Sequence, residues 1–140
     1  MNEREHLDPK RMNTTALAFL GDAVYELYIR DLLLTYGMTD ADQLHRACVR
    51  YVRAESQAAV IRRMMEDFLD EEELALVKRA RNHKSGARSR SAGVVDYRLA
   101  TAFEALVGWH YMAGNGERLE EIMGRAASLI AAGRSEHEQG

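Results

Sequence analysis

Cysteine and proline are each present only once in this chain, at Cys48 and Pro9. One cysteine excludes an internal disulfide and suits a reducing compartment. One proline, near the start, leaves the rest of the sequence without its strongest helix breaker. Long hydrophobic runs are missing too: no apolar stretch approaches the roughly 18 residues needed to cross a bilayer. The opening residues, "MNEREHLDPK", are polar and acidic, unlike a secretory signal. The cytoplasm is the expected location, and no membrane partner is expected. A strong net charge is absent as well. At −3, the chain is not an indiscriminate binder of polyanions. No internal repeat and no separate low-complexity region is visible.

What is present is helical periodicity. With 140 residues, 46% of them hydrophobic and 29% charged, the chain is expected to be one all-α domain with a real core. Asn13 or Thr14 offers an N-cap for a first helix, in which Leu17, Leu20, Val24 and Leu27 recur at three- and four-residue spacing, ending near Gly37. Thr39 or Asp40 caps the next, short helix, and a longer one is expected from about Val49 to Met65. Its apolar or small positions are Val52, Ser56, Ala59, Ile61 and Met64. Asp70 or the acids after it open a helix to about Asn82, with acids in front and bases behind, as the helix dipole favours. A loop, "HKSGARSRSAGV", precedes a helix from about Val95 to Met112, with Leu99, Ala102, Phe103, Leu106, Val107 and His110 facing inward. "AGNGE" breaks that helix, and Glu117 to Ala132 forms the last one. The expected organisation is a polar segment over 1–12, a domain over 13–132 and a mobile tail over 133–140.

Two acids stand out against this pattern. Asp22 interrupts "TALAFLGDAVYELYIR", and Glu104 interrupts "YRLATAFEALVGWHY", both otherwise apolar. A carboxylate in a buried helix needs a hydrogen-bond partner or a cation. Either an arginine or a backbone amide caps each one separately, or the two helices face each other and both acids share a divalent ion. Glu26, one turn after Asp22, is spaced to pair with Arg30. His45 and Cys48 are a helical turn apart, but two ligands do not make a zinc site, and a packed thiol is the simpler reading. Lys78, Arg79, Arg81, Lys84, Arg88 and Arg90 concentrate positive charge that the net value hides, either as a solvated loop or as a phosphate-binding one.

"FLGDAVYE" together with "TAFEALVG" closely resembles the two signature segments of the ribonuclease III family. The wider pattern, with "LHRACVRYVRAESQAAVI" and "VKRARNHKSG", resembles its short bacterial branch, Mini-ribonuclease III, from about Asn13 to Ile130. The resemblance implies a ribonuclease III-like helical bundle, a two-fold homodimer, and Mg2+-dependent hydrolysis of double-stranded RNA leaving 5′-phosphate and 3′-hydroxyl ends. It implies maturation of the 23S ribosomal RNA precursor, with a ribosomal protein or a pre-ribosomal particle as a further partner. By the same resemblance Asp22 and Glu104 are catalytic metal ligands; beside them the Thr101 hydroxyl is expected to hold an outer-shell water, and in a nuclease of this kind the six cations Lys78, Arg79, Arg81, Lys84, Arg88 and Arg90 are expected to bind RNA. Phe19 corresponds to a residue that projects into the partner subunit. The resemblance also implies two more acids in full-length relatives, at positions where this chain has Ala18 and Thr101, an absence expected of the short branch. Two alternatives follow from those gaps and from the helical pattern: an inactive RNA-binding scaffold of the same fold, and a helical protein-interaction module.

Overall fold

The structure is a computed structural model that describes residues 8, 10–83 and 91–139, with side chains as far as 133. The described residues form six helices and no strand: α1 (Thr14–Thr35), α2 (Ala41–Val52), α3 (Ala54–Asp67), α4 (Glu71–Arg81), α5 (Ala92–Ala113) and α6 (Gly116–Gln139). Among them, no helix is long and apolar enough to cross a membrane.

The ends follow local chemistry. The side chain of Asn13 accepts from the amides of Thr15 and Ala16, and Asp40 accepts from Gln43. Asp70 and Glu73 form a reciprocal capping box at α4. α5 stops at Gly114, whose φ of 76° is open to glycine at little steric cost. The break between α2 and α3 falls at Arg53, four residues later than the sequence pattern suggests. There Ser56 Oγ donates to the Arg50 carbonyl (2.5 Å) and Gln57 Nε2 to that of Val52 (2.8 Å), satisfying acceptors at the end of α2. At the other end of the chain α6 continues to Gln139, past the expected stop at Ala132.

α5 is the centre of the molecule, touching α1, α3, α4 and α6. Its inward residues are those the periodicity selects: Leu99, Ala102, Phe103, Leu106, Val107 and His110 are all buried. α1 differs from expectation. Leu17 is buried, but the inward face continues through Ala18, Gly21, Tyr25, Ile29 and Leu33, while Leu27 is 69% exposed. A helix apolar on nearly every side does not declare its inner face by hydrophobicity. Here the choice is made by close approach: a Cβ on Gly21 would overlap the Glu104 carbonyl oxygen, and one on Gly108 that of Leu17. The two helices therefore cross backbone to backbone, and Tyr25 meets Phe103 edge-on at 4.9 Å between centroids. In α3 the buried set is Gln57, Ala58, Val60, Ile61 and Met64. Ile61 and Met64 match the expectation, whereas Ala59 faces solvent.

Candidate active site

Gly21 immediately precedes Asp22, and Glu104 itself supplies the carbonyl against which Gly21 packs. The crossing that excludes a β-carbon thus sets the two acids beside each other. Asp22 is exposed and Glu104 half-buried. Burial first, then a hydrogen bond with Asp22 and the charge of Asp22, push the Glu104 carboxyl up to about 8, and contact with the Gln57 amide partly offsets this. No lysine, arginine or histidine forms an ion pair with either acid among the described residues.

A third acid in the core shows what a compensated carboxylate looks like in this fold. Glu73, fully buried, receives two bonds of 2.8 Å from Arg118, through Nε and Nη2, and its Oε2 lies 2.7 Å from His110 Nε2. Despite desolvation, the bonds from Arg118, the Asp70 amide and His110 hold its pKa down at about 2. The other ring nitrogen, His110 Nδ1, faces Asn115 Nδ2 at 3.1 Å. That donor suits the neutral ring with its proton on Nε2, in keeping with a pKa lowered by burial. Arg118 also donates to the Phe68 carbonyl and lies over the Phe68 ring. This network ties α4 to α5 and α6. Sequence reasoning left Glu73 among the acids that open α4; its spacing of three residues from the cap Asp70 is the one local signal.

The Asp22 and Glu104 pair is different: two carboxylates together, an elevated pKa, and no protein cation among the described residues. Among the described residues no three His, Cys, Asp or Glu side chains come together. A bound cation would draw its remaining ligands from neutral oxygens, water or substrate, which suits magnesium. Thr101, one turn before Glu104, donates its hydroxyl proton to the Tyr97 carbonyl at 2.9 Å. Its oxygen is left to accept. Ala18, one turn before Asp22, is buried. Gln57, which the sequence reading passed over, reaches the Glu104 carboxyl from α3. Its signal was present, since it lies one turn before Ile61 on the same buried stripe.

The remaining candidates are spread around this pair. Glu26 is bonded to Arg30 at 3.3 Å, the simple pairing its spacing suggests. Cys48 is buried, which raises its thiol pKa, and His45 is exposed. Of the basic group, Lys78 is exposed. Arg79 is half-buried and donates to the Met12 carbonyl at 3.0 Å, and Arg81 bonds Asn82. Lys84, Arg88 and Arg90 lie outside the described residues. Phe19 is 85% exposed on α1. A groove of about 720 Å³ between α2, α3 and α6, lined by Arg50, Arg53, Arg63 and Ile130 among others, does not contain the acid pair.

With this geometry in hand, comparison with known proteins is informative. Residues 15–115 match the family model of the Ribonuclease III domain. The chain is 47% identical over 123 residues to Mini-ribonuclease 3 of Brevibacillus brevis, covering 88% of this chain and 91% of that protein. It is 44% identical over 117 residues to Mini-ribonuclease 3 of Enterococcus faecalis, covering 83% and 89%. A crystal structure of a protein from Fusobacterium nucleatum superposes with a TM-score of 0.72 at 33% identity, covering 89% of this chain and 96% of that one.

Proposed function

The chain belongs to the ribonuclease III family, beside the Mini-ribonuclease 3 proteins, and is an endoribonuclease; from that premise we propose that it cleaves double-stranded RNA with magnesium at Asp22 and Glu104. The observation that carries this reading is the contrast between two acids of one core. Glu73 has its cation built in, and Glu104 has none among the described residues.

Asp22 and Glu104 are the residues that hold the ion, with Thr101 placed to accept a hydrogen bond from a ligand water. Held there, magnesium would supply a water of lowered pKa and positive charge beside the phosphodiester. The protein's own part is positional. The Gly21 and Gly108 crossing fixes the separation of the two carboxyls. Glu104, held between Asp22 and Gln57, keeps a proton at neutral pH without a cation and gives it up when the ion arrives. The exposed face of Asp22 leaves the site open to a polymer. Two carboxylates would bind a divalent ion weakly by themselves, which leaves room for phosphate oxygens of the RNA as further ligands.

Affinity for RNA comes from the catalytic domain itself. Lys78 at the end of α4 and the basic residues that follow it are the proposed phosphate contacts, with Arg81 beside them. If about four side chains take part, binding weakens steeply with salt, by roughly one counterion per contact. Arg79, committed to Met12, anchors the end of α4 instead. The active form is a homodimer in which Phe19 packs on the partner, because two antiparallel strands call for two symmetric sites. The proposed substrate is the 23S ribosomal RNA precursor, shaped by a ribosomal protein or within a pre-ribosomal particle, in the cytoplasm.

Incubation with double-stranded RNA, with and without Mg2+, tests the reading. Asp22→Asn keeps shape and removes charge, so cleavage falls by roughly 100-fold or more while folding is spared. Normal turnover by Asp22→Asn removes this pair from the mechanism. RNA binding by wild type without any cleavage favours the inactive scaffold.

A further inference from the structure

Along most of its length α5 has no free side. From Leu99 to His110 every residue is buried except Thr101 and Glu104. These two are three residues apart and share one stripe of the helix. Toward the C-terminus the stripe is closed at Gly108, where an added Cβ would overlap the Leu17 carbonyl oxygen. Toward the N-terminus it runs one turn past Thr101, to Tyr97, which is 60% exposed. Tyr97 precedes Glu104 by two helical turns, about 10 Å along the axis. An exposed tyrosine is ordinary by itself; this one stands at the open end of the strip of α5 that carries an acid of the proposed site.

Tyr97 is also firmly placed. Its carbonyl accepts from the Thr101 hydroxyl at 2.9 Å. The adjoining Asp96 is paired with Arg62 of α3 at 3.2 Å, which holds this turn of α5 in position. The phenol hydroxyl itself bonds no protein group among the described residues.

We infer that the Tyr97 hydroxyl bonds a ribose 2′-hydroxyl of the RNA strand lying across Asp22 and Glu104, and so helps the site tell RNA from DNA. A separation of about 10 Å is only a few base pairs of a duplex, so a polymer that reaches Glu104 along this stripe covers Tyr97 as well. In paired RNA the base faces are stacked and closed to the ring, whereas the 2′-hydroxyls line the shallow minor groove. A phenol both donates and accepts, as a 2′-hydroxyl does. Phosphates only accept, and cations such as Lys78 serve them better.

The inference rests on the proposed nuclease site, and the experiment separates the two. Single-turnover cleavage with Mg2+ is measured for the full chain on a synthetic RNA duplex cut at one mapped position, and on copies that each carry one 2′-deoxy sugar near the cut. Tyr97→Phe, which loses one exposed oxygen and keeps the ring, should melt as wild type does and cleave the all-ribose duplex about tenfold more slowly. One deoxy position should slow wild type by about the same factor and cost Tyr97→Phe nothing further, the coupling that a direct contact requires. A wild-type rate in Tyr97→Phe overturns the inference. So does a deficit that adds independently to that of every deoxy position, because the hydroxyl then serves a phosphate or the fold. If Tyr97 instead packs on a second copy of the chain, Tyr97→Phe keeps that packing and cleaves normally while Tyr97→Glu separates the copies in light scattering, which also overturns the inference. In each of these cases the acid pair stands. Failure of wild type to cleave, or normal cleavage by Asp22→Asn, overturns the site itself, and the inference with it.

Discussion

Gly21→Ala is a perturbation on which two physical effects have opposite signs. In an isolated helix the change is favourable, by about 1 kcal/mol of backbone propensity. In this fold the new Cβ would overlap the Glu104 carbonyl oxygen, with Gly108 N only 2.9 Å away. Neither obstacle is a side chain that can change rotamer, so α1 and α5 must part by roughly 1.5 Å to restore ordinary contact. Separating the central helix from the neighbour it packs against most extensively costs about 3 kcal/mol, at the upper end of ordinary overpacking. The net loss is about 2 kcal/mol, or a fall of roughly 6–10 °C in Tm for a domain of this size. The same movement draws Asp22 away from Glu104, so cleavage falls by about 100-fold even where the variant is folded. Gly133→Ala supplies the matched control: it lies within α6 with nothing within 4 Å of its added Cβ. That variant should gain up to about 1 kcal/mol. The assays are thermal melts by circular dichroism and cleavage of double-stranded RNA below both transitions. A Gly21→Ala protein with unchanged or raised Tm and full activity would refute the claim that this crossing builds the site.

Three further outcomes are expected. Glu73→Gln strips the charge that Arg118 needs, so stability should drop by about 3 kcal/mol with kcat preserved at low temperature, read from urea melts beside cleavage rates. Without divalent ions, stability should peak in mildly acidic solution. Glu104 titrates at about 8 in the folded state against 4.5 normally, so the fold retains a proton that the unfolded chain releases, and stability falls as pH rises between those values, by at most about 1.4 kcal/mol per unit. Glu73, at about 2, and His110, lowered by burial, act on the other side: their contribution is lost as pH falls below about 6.5 and then below 4.5. Melts at pH 5 and pH 8 in chelator, then with Mg2+, check the sign, because magnesium should recover stability at pH 8 and do little at pH 5. Phe19→Glu should convert the proposed dimer to a folded monomer with cleavage reduced by at least about tenfold, seen by light scattering; a wild-type protein that is monomeric and fully active would remove Phe19 from any interface.

Much of this protein is decided locally. Asn13, Asp40 and Asp70 fix helix starts by side-chain capping, Gly114 fixes an end, and the spacing of Leu99, Phe103, Leu106 and His110 fixes the inner face of α5. Each depends on interactions a few residues apart, and those are written in sequence. So are Asp22 and Glu104 as acids out of place, and the motifs around them that resemble ribonuclease III. Other features depend on what lies opposite. α1 is apolar all round, so the choice of Tyr25 over Leu27 for the core was made by Gly21 meeting the α5 backbone. Ser56 and Gln57 set the end of α2 at Arg53, later than the apolar spacing suggests, through bonds to the Arg50 and Val52 carbonyls that form only once the chain bends there. Glu73 looks like one more acid in "EDFLDEEE" until Arg118 and His110 close over it. Charge along a chain shows where carboxylates are, but the environment that sets their pKa is assembled from other helices. Sequence by itself determined an all-helical chain with two suspect acids; tertiary structure decided that the buried Glu73 carries its own cation while the half-buried Glu104 meets none among the described residues.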